Sequence, residues 1–212
     1  MMRSNIVKET DNYIVVNKLA GIATQTARLG QKDLVSEVKN YLADSTGVKN
    51  PYLAVINRLD QPVEGLVLFA KNEKSAAYLS NLLNEGKIQK YYRASVYGHM
   101  PSTEGRLTDY LIKDGKSNLS KVSDRNDKQA RLAVLEYKVI DRNDTGDTLD
   151  IRLITGRHHQ IRVQLSNAGC PILGDMKYAS SDSLRFTRDQ GIGNVSLKAY
   201  KLILENETIQ IN

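Results

Sequence analysis

Arg58 and Asp60 stand two residues apart in "INRLDQPVEGLVLFAK" (Ile56–Lys71), with Asn57 before them and Gln61 and Glu64 after, just ahead of an apolar run. A carboxylate beside a guanidinium stays ionised and oriented, as a nucleophilic or charge-stabilising carboxylate must. The same residues also suit a solvated loop between two strands, or a buried structural ion pair. A second polar cluster lies in "ITGRHHQIRVQLSNAGCPILGD" (Ile154–Asp175), where Arg157, His158, His159, Gln160 and Arg162 bring five donor-rich side chains into six positions. At a helix start such a group presents arginines to phosphate or to a protein carboxylate. Helical spacing would set His158 and Arg162 on one side, four residues apart. A plain solvated helix face is the alternative. A metal site fits poorly, because adjacent histidines point apart on a helix and no carboxylate ligand stands at suitable spacing.

Both clusters need elements to hold them. "YIVVNK" (Tyr13–Lys18) is a β-branched run closed by the Gly-containing "LAGIAT", hence a strand and a turn. "DLVSEVKNYLADS" places Leu34, Val35, Val38, Tyr41 and Leu42 at helical spacing. Tyr52–Leu59 and Gly65–Lys71 read as strands on either side of the first cluster. Asn72 reads as an N-cap, with Ala76, Leu79, Leu82 and Leu83 facing inward and Gly86 closing the helix. Ile88–Tyr97 alternates as a strand, and "GRLTDYLIKD" reads as another. Gly115–Gln129 is polar and turn-rich, an exposed loop. "RLAVLEYKVIDRN" and "DTLDIRLIT" form a hairpin across "DTGD". Gly156 opens a short helix with Ile161, Leu165 and Ala168 on one face, and the chain ends in a hairpin turning at Glu205–Glu207. The expected class is α+β, a mixed, largely antiparallel sheet with flanking helices in a single domain spanning 1–212.

Composition bounds the function. The chain carries 30 Lys and Arg against 24 Asp and Glu, a net charge of +6, which suits a polyanionic partner. Eleven Tyr with two Phe and no Trp offer stacking faces for single-stranded nucleic acid. Cys170 is the lone cysteine, so there is neither a disulfide framework nor a cysteine metal cluster, and a reducing, cytoplasmic setting is the default. No apolar run approaches the roughly 20 residues needed to cross a bilayer, and Met1–Thr10 has no signal-peptide core. With no exposed heptad or broad apolar stripe, a monomer is expected.

The residues also carry a family resemblance. "NRLDQPVEGLVLFAK" resembles the HRLD and G-L…F-A-K signature of RluA-type pseudouridine synthases. "KYYRASVYG" resembles that family's K-x-Y-x-A-x-V-x-G strand, and "TGRHHQIRVQLSNAGCPILGDMKY" its T-G-R-x-H-Q-I-R-V-H-L segment with the following P-I-x-G-D and Tyr. "VVNKLAGIAT" is similar to the family's V-x-K-P-x-G opening, with Leu19 in place of proline. The matches keep their order from about Val15 to Tyr178.

The resemblance implies the pseudouridine synthase catalytic fold and the isomerisation of specific uridines in a tRNA or rRNA stem-loop. Asp60 would be the catalytic aspartate, acting at the C1′ side of the uridine. Tyr92 would stack on the uracil, near the C5 proton lost last, and Arg162 would pair with Asp60. Arg58 would enter the space left by the extruded nucleotide, Leu59 would wall the pocket, and Arg157, His159 and Gln160 would join them in binding substrate. No metal, organic cofactor, DNA or membrane is implied. No S4-like RNA-binding domain is expected ahead of the matched segments. RNA recognition is then expected from basic residues such as Arg93, Arg106, Lys113, Lys116, Lys121, Arg125 and Lys128. Asn57 replaces the family's His, Gln61-Pro62-Val63-Glu64 the usual x-x-Thr-Ser, His158 a Thr or Ser, and Gln164 a His, while Lys198 stands where His is common. These departures bear on which RNA is bound; Glu64 is expected to be a surface charge. Two other readings stay open: a non-catalytic RNA-binding or RNA-folding protein on the same fold, and a glycosidase acting on a small nucleoside.

Overall fold

The computed structural model describes residues 5–26 and 31–212. In chain order its elements begin with strands β1 (Ile6–Glu9) and β2 (Tyr13–Lys18), helix α1 (Leu34–Thr46), strands β3 (Ala54–Val55) and β4 (Glu64–Ala70), and helix α2 (Glu73–Asn84). Strands β5 (Ile88–Ser95), β6 (Glu104–Asp114), β7 (Leu119–Ser123), β8 (Arg131–Asn143) and β9 (Gly146–Leu153) follow. Helices α3 (Gln160–Asn167) and α4 (Ser181–Asp189) then precede strands β10 (Leu197–Leu204) and β11 (Glu207–Gln210). The class is the expected α+β one, with antiparallel ladders and flanking helices. The chain divides into two compact units, Met1–Gln89 with Ala199–Asn212, and Lys90–Lys198.

In the first unit β1 pairs with β2 and β2 with β4, from Tyr13↔Ala70 to Lys18↔Gly65, and β11 returns along β10. Period-two alternation gives each strand two apolar faces. On one, Val15, Leu66, Leu68 and Ala70 pack with Leu79 and Leu82 of α2 and with Leu202, Leu204 and Ile209. On the other, Ile14, Val16, Val67 and Phe69 are fully buried. Burial of each such side chain contributes about 1.5–3 kcal/mol. Helix α2 begins where the Asn72 side chain accepts from Ser75 N, and stops before Gly86 at φ 71°. Helix α1 is capped in the same way by Asp33, whose carboxylate accepts from Ser36 N at 2.8 Å and from Thr26 N at 2.7 Å.

The strand expected over Tyr52–Leu59 shrinks to Ala54–Val55, for a local reason. Ile56 N still donates to Leu68 O, but the Asn57 side chain then replaces the backbone, accepting from Leu68 N at 2.7 Å and donating to Leu66 O at 3.2 Å. The main chain is released from the ladder, and residues 58–63 leave as a loop.

In the second unit the strand order is β5-β9-β8-β6-β7, antiparallel throughout. The loop expected over Gly115–Gln129 contains strand β7, paired to β6 from Tyr110↔Ser123 to Asp114↔Leu119. Helix α4, capped by Ser180, was not expected from the sequence. The helix expected to open at Gly156 starts at Gln160 instead, after a turn in which His159 adopts φ 53°. His158 therefore precedes the helix, and the expected four-residue pairing of His158 with Arg162 on one helix face does not arise. Val163 of α3 packs against Leu111 and Ala133, with Val122 and Tyr178 at the edge.

Candidate active site

The first unit presents Arg58, Leu59 and Asp60 on the loop that Asn57 frees, with Arg58 exposed, Leu59 buried and Asp60 half-buried. Three residues from the β2 end and its turn hold that loop. Thr24 Oγ1 donates to Leu59 O at 2.9 Å and accepts from Leu59 N at 3.2 Å, fixing the residue before Asp60 by both its backbone groups. Gly21 N donates to Gln61 O, and Gln61 Nε2 returns a bond to Gly21 O. Lys18, fully buried, donates its ammonium to Leu19 O at 3.1 Å, Ile22 O at 2.7 Å and Gln61 O at 3.1 Å. Burial pushes the Lys18 pKa down to about 8, while the charges of Asp60 and Glu64 pull it back up. The loop closes as a tight turn, Val63 N donating to Asp60 O. Gly65 then enters β4 at φ 120°, where an added Cβ would lie 2.2 Å from Ala199 O, so only glycine fits. Glu64, expected as a surface charge, is half-buried at the start of β4 and electrostatically coupled to Lys18.

The second unit carries Tyr92, Arg157, His159, Gln160 and Arg162. Tyr92 is buried in β5 opposite Ile151. Arg162 is 3% exposed and makes a bidentate pair with Asp175, Nε and one terminal nitrogen each donating at 2.6 Å, with its guanidinium 5.1 Å from the Tyr178 ring centroid. A guanidinium carries more N–H donors than one carboxylate can accept, so this pair orients Arg162 without exhausting it. Gln160 is buried and works as a peg: its amide oxygen accepts from Thr155 Oγ1 and Arg157 N, and its amide nitrogen donates to Val134 O and Gln164 Oε1. Arg157 is exposed, its Nε donating to Leu132 O at 2.9 Å. His159 stacks on His158 with ring centroids 3.7 Å apart, and its Nδ1 lies 2.7 Å from the Tyr178 hydroxyl. That hydroxyl accepts from Ser120 N of β7, and Ser120 Oγ lies 2.8 Å from His158 Nδ1.

Lys18, Thr24 and Asp175 are among the residues that gain roles the sequence did not assign. Lys18 was visible only as part of a motif, and a lysine ending a strand reads as solvent-facing. Asp175 sits in a quoted motif, but its partner is thirteen residues away. Lys90, two residues before Tyr92, points to the same side of β5.

The chain matches a family model described as RNA pseudouridylate synthase over residues 12–167. It is 31% identical over 185 residues to the ribosomal large subunit pseudouridine synthase C of Rickettsia bellii, covering 86% of this chain and 59% of the relative. It is 30% identical over 200 residues to the dual-specificity RNA pseudouridine synthase RluA of Vibrio vulnificus, covering 93% of this chain and 78% of that one. The chain thus spans about 59% of the length of the Rickettsia relatives it matches. Among solved structures, human RNA pseudouridylate synthase domain containing 4 shares the fold, with a TM-score of 0.83 at 22% identity over 100% of this chain and 89% of that one.

Proposed function

The chain belongs to the RluA-type RNA pseudouridylate synthase family, and on that premise we propose that it isomerises specific uridines of a tRNA or rRNA stem-loop to pseudouridine. The observation that carries the proposal is the clamped loop: Lys18, Thr24 and Gly21 fix the backbone on both sides of Asp60, itself half-buried. A loop tied this tightly by buried groups suits a side chain whose position matters for chemistry.

In this reading Asp60 acts at C1′ of the target uridine. Cleavage of the N1–C1′ bond leaves positive charge on the ribose and negative charge on the base, and a carboxylate on the sugar side stabilises that separation. The uracil turns, C5 bonds to C1′, the C5 proton is lost and N1 is protonated, so the reaction is an isomerisation and consumes no second substrate. Tyr92 lies against the uracil. Arg162, oriented by Asp175, supplies the guanidinium that the resemblance assigns to the catalytic carboxylate. Arg58 fills the space of the extruded nucleotide, Leu59 walls the pocket, and Arg157, with the turn that Gln160 and His159 hold, meets the RNA backbone. The proposal takes residues 1–212 as one catalytic domain acting as a monomer in the cytoplasm, on RNA and without a cofactor.

The test is to incubate the protein with bulk tRNA and bulk rRNA, digest both to nucleosides and quantify them. Uridine should fall as pseudouridine rises by the same amount in at least one pool. Folded protein that retains RNA and makes no pseudouridine would sink the proposal in favour of an RNA-binding role.

A further inference from the structure

In the second unit, Lys90 lies on the inward face of β5, opposite Leu153, with Tyr92 two positions on opposite Ile151. Its Nζ lies against the turn that carries Arg157: a Cβ added at Gly156 would sit 3.5 Å from it. The side chain is half-buried, and its ammonium meets solvent and has no hydrogen-bond or ion-pair partner among the described residues. Desolvation lowers its pKa with no opposing charge to restore it. A partly desolvated ammonium that still reaches solvent can take an anionic oxygen from a ligand as its acceptor. Lys18 shows the contrast, since its buried ammonium is satisfied by three carbonyls.

We propose that Lys90 is a substrate-binding residue whose ammonium meets a phosphodiester of the RNA, at the nucleotide whose base lies against Tyr92. The proposal rests on the pseudouridine synthase reading of the site. Side chains two residues apart on one strand face stand about 7 Å apart, comparable to the separation of a base from its own phosphate. A lysine is a compact point charge suited to a phosphate oxygen. Arg157 stands on the same turn, its Nε held by Leu132 O, so two cations flank Gly156.

The test measures tritium release from C5-tritiated bulk rRNA and tRNA by wild type, Lys90→Met and Lys90→Arg, across a series of salt concentrations. Lys90→Met should lower kcat/KM roughly tenfold to thirtyfold at about 0.1 M salt, mostly through KM, and leave kcat within about twofold. The slope of log kcat/KM against log salt should flatten by about 0.7, one phosphate contact, and Lys90→Arg should restore it. A thermal melt of each variant identifies any loss of fold, and Lys90→Arg carries the comparison if Lys90→Met melts. An active wild type whose salt slope and KM are unchanged in Lys90→Met overturns the phosphate assignment alone. A wild type with no tritium release overturns the reading beneath it instead.

Discussion

Lys18→Met is the substitution that most sharply separates the loop's chemistry from its stability. The ammonium of Lys18 makes three bonds to carbonyl oxygens, one of them Gln61 O, beside Asp60. Charge-assisted bonds of this kind contribute about 1.5–3 kcal/mol each. Against them stands the cost of burying the charge. The pKa falls from 10.5 to about 8, and at about 1.4 kcal/mol per unit that costs roughly 3 kcal/mol. Removing the amine should therefore lower stability by about 1.5–6 kcal/mol, and the unanchored Asp60 loop should lower the rate more than tenfold under conditions where the variant is still folded. The pH dependence has the opposite sign for stability and activity. Below about pH 8 Lys18 is protonated both folded and unfolded, and the full burial cost is present. Between about pH 8 and 10.5 the unfolded chain still binds the proton that the folded chain has released, so this group's contribution to stability rises with pH. A neutral amine, however, keeps two N–H donors for three carbonyls, and the loop loosens. Single-turnover tritium release and melting temperature, both followed across pH, should therefore diverge, with activity falling above about pH 8 while this group lends stability. A wild-type rate that stays flat to about pH 9.5, or a Lys18→Met protein with the wild-type rate, would refute this account of the loop.

Asp175→Asn should leave the buried Arg162 without a full counter-charge and cost about 3–5 kcal/mol of stability, read by urea denaturation of the second unit's signals. Gly65→Ala would force a Cβ into Ala199 O at a positive φ; a loss above about 3 kcal/mol, or failure to fold, is expected by the same method. Asn57→Ala removes both side-chain bonds to β4 and should cost about 2–3 kcal/mol, with Asn57→His recovering part of it if one ring nitrogen reaches Leu68 N.

The parts of the fold that follow local rules were legible. Asn72 sits where a cap was expected, and the β2 and β4 runs form the buried strands their apolar composition indicated. What was not legible depended on partners distant in sequence. Tyr52–Leu59 has strand composition throughout, and only the Asn57 side chain, bonding to the neighbouring strand, ends β3 early. The segment "LSKVS" within Gly115–Gln129 looks like loop because its apolar positions are few, yet β6 supplies a ladder for it. Helix α4 buries only Ser183 and Thr187, so no apolar period announces it. Asp60, Tyr92 and Arg162 were each assigned through motif resemblance. Lys18 and Thr24, which hold the Asp60 loop, and Asp175, which holds Arg162, act through backbone bonds and an ion pair that no spacing rule encodes. Gln160, expected as a substrate contact, spends its amide pinning the Thr155–Arg157 turn.

The central claim is that Asp60 carries the chemistry rather than RNA affinity. Tritium release from C5-tritiated bulk tRNA and rRNA, run beside RNA retention for wild type and Asp60→Ala, tests it directly. The account predicts release by the wild type alone, with the variant's RNA affinity within about 1 kcal/mol of wild type. Release by a folded Asp60→Ala protein at a comparable rate would contradict it.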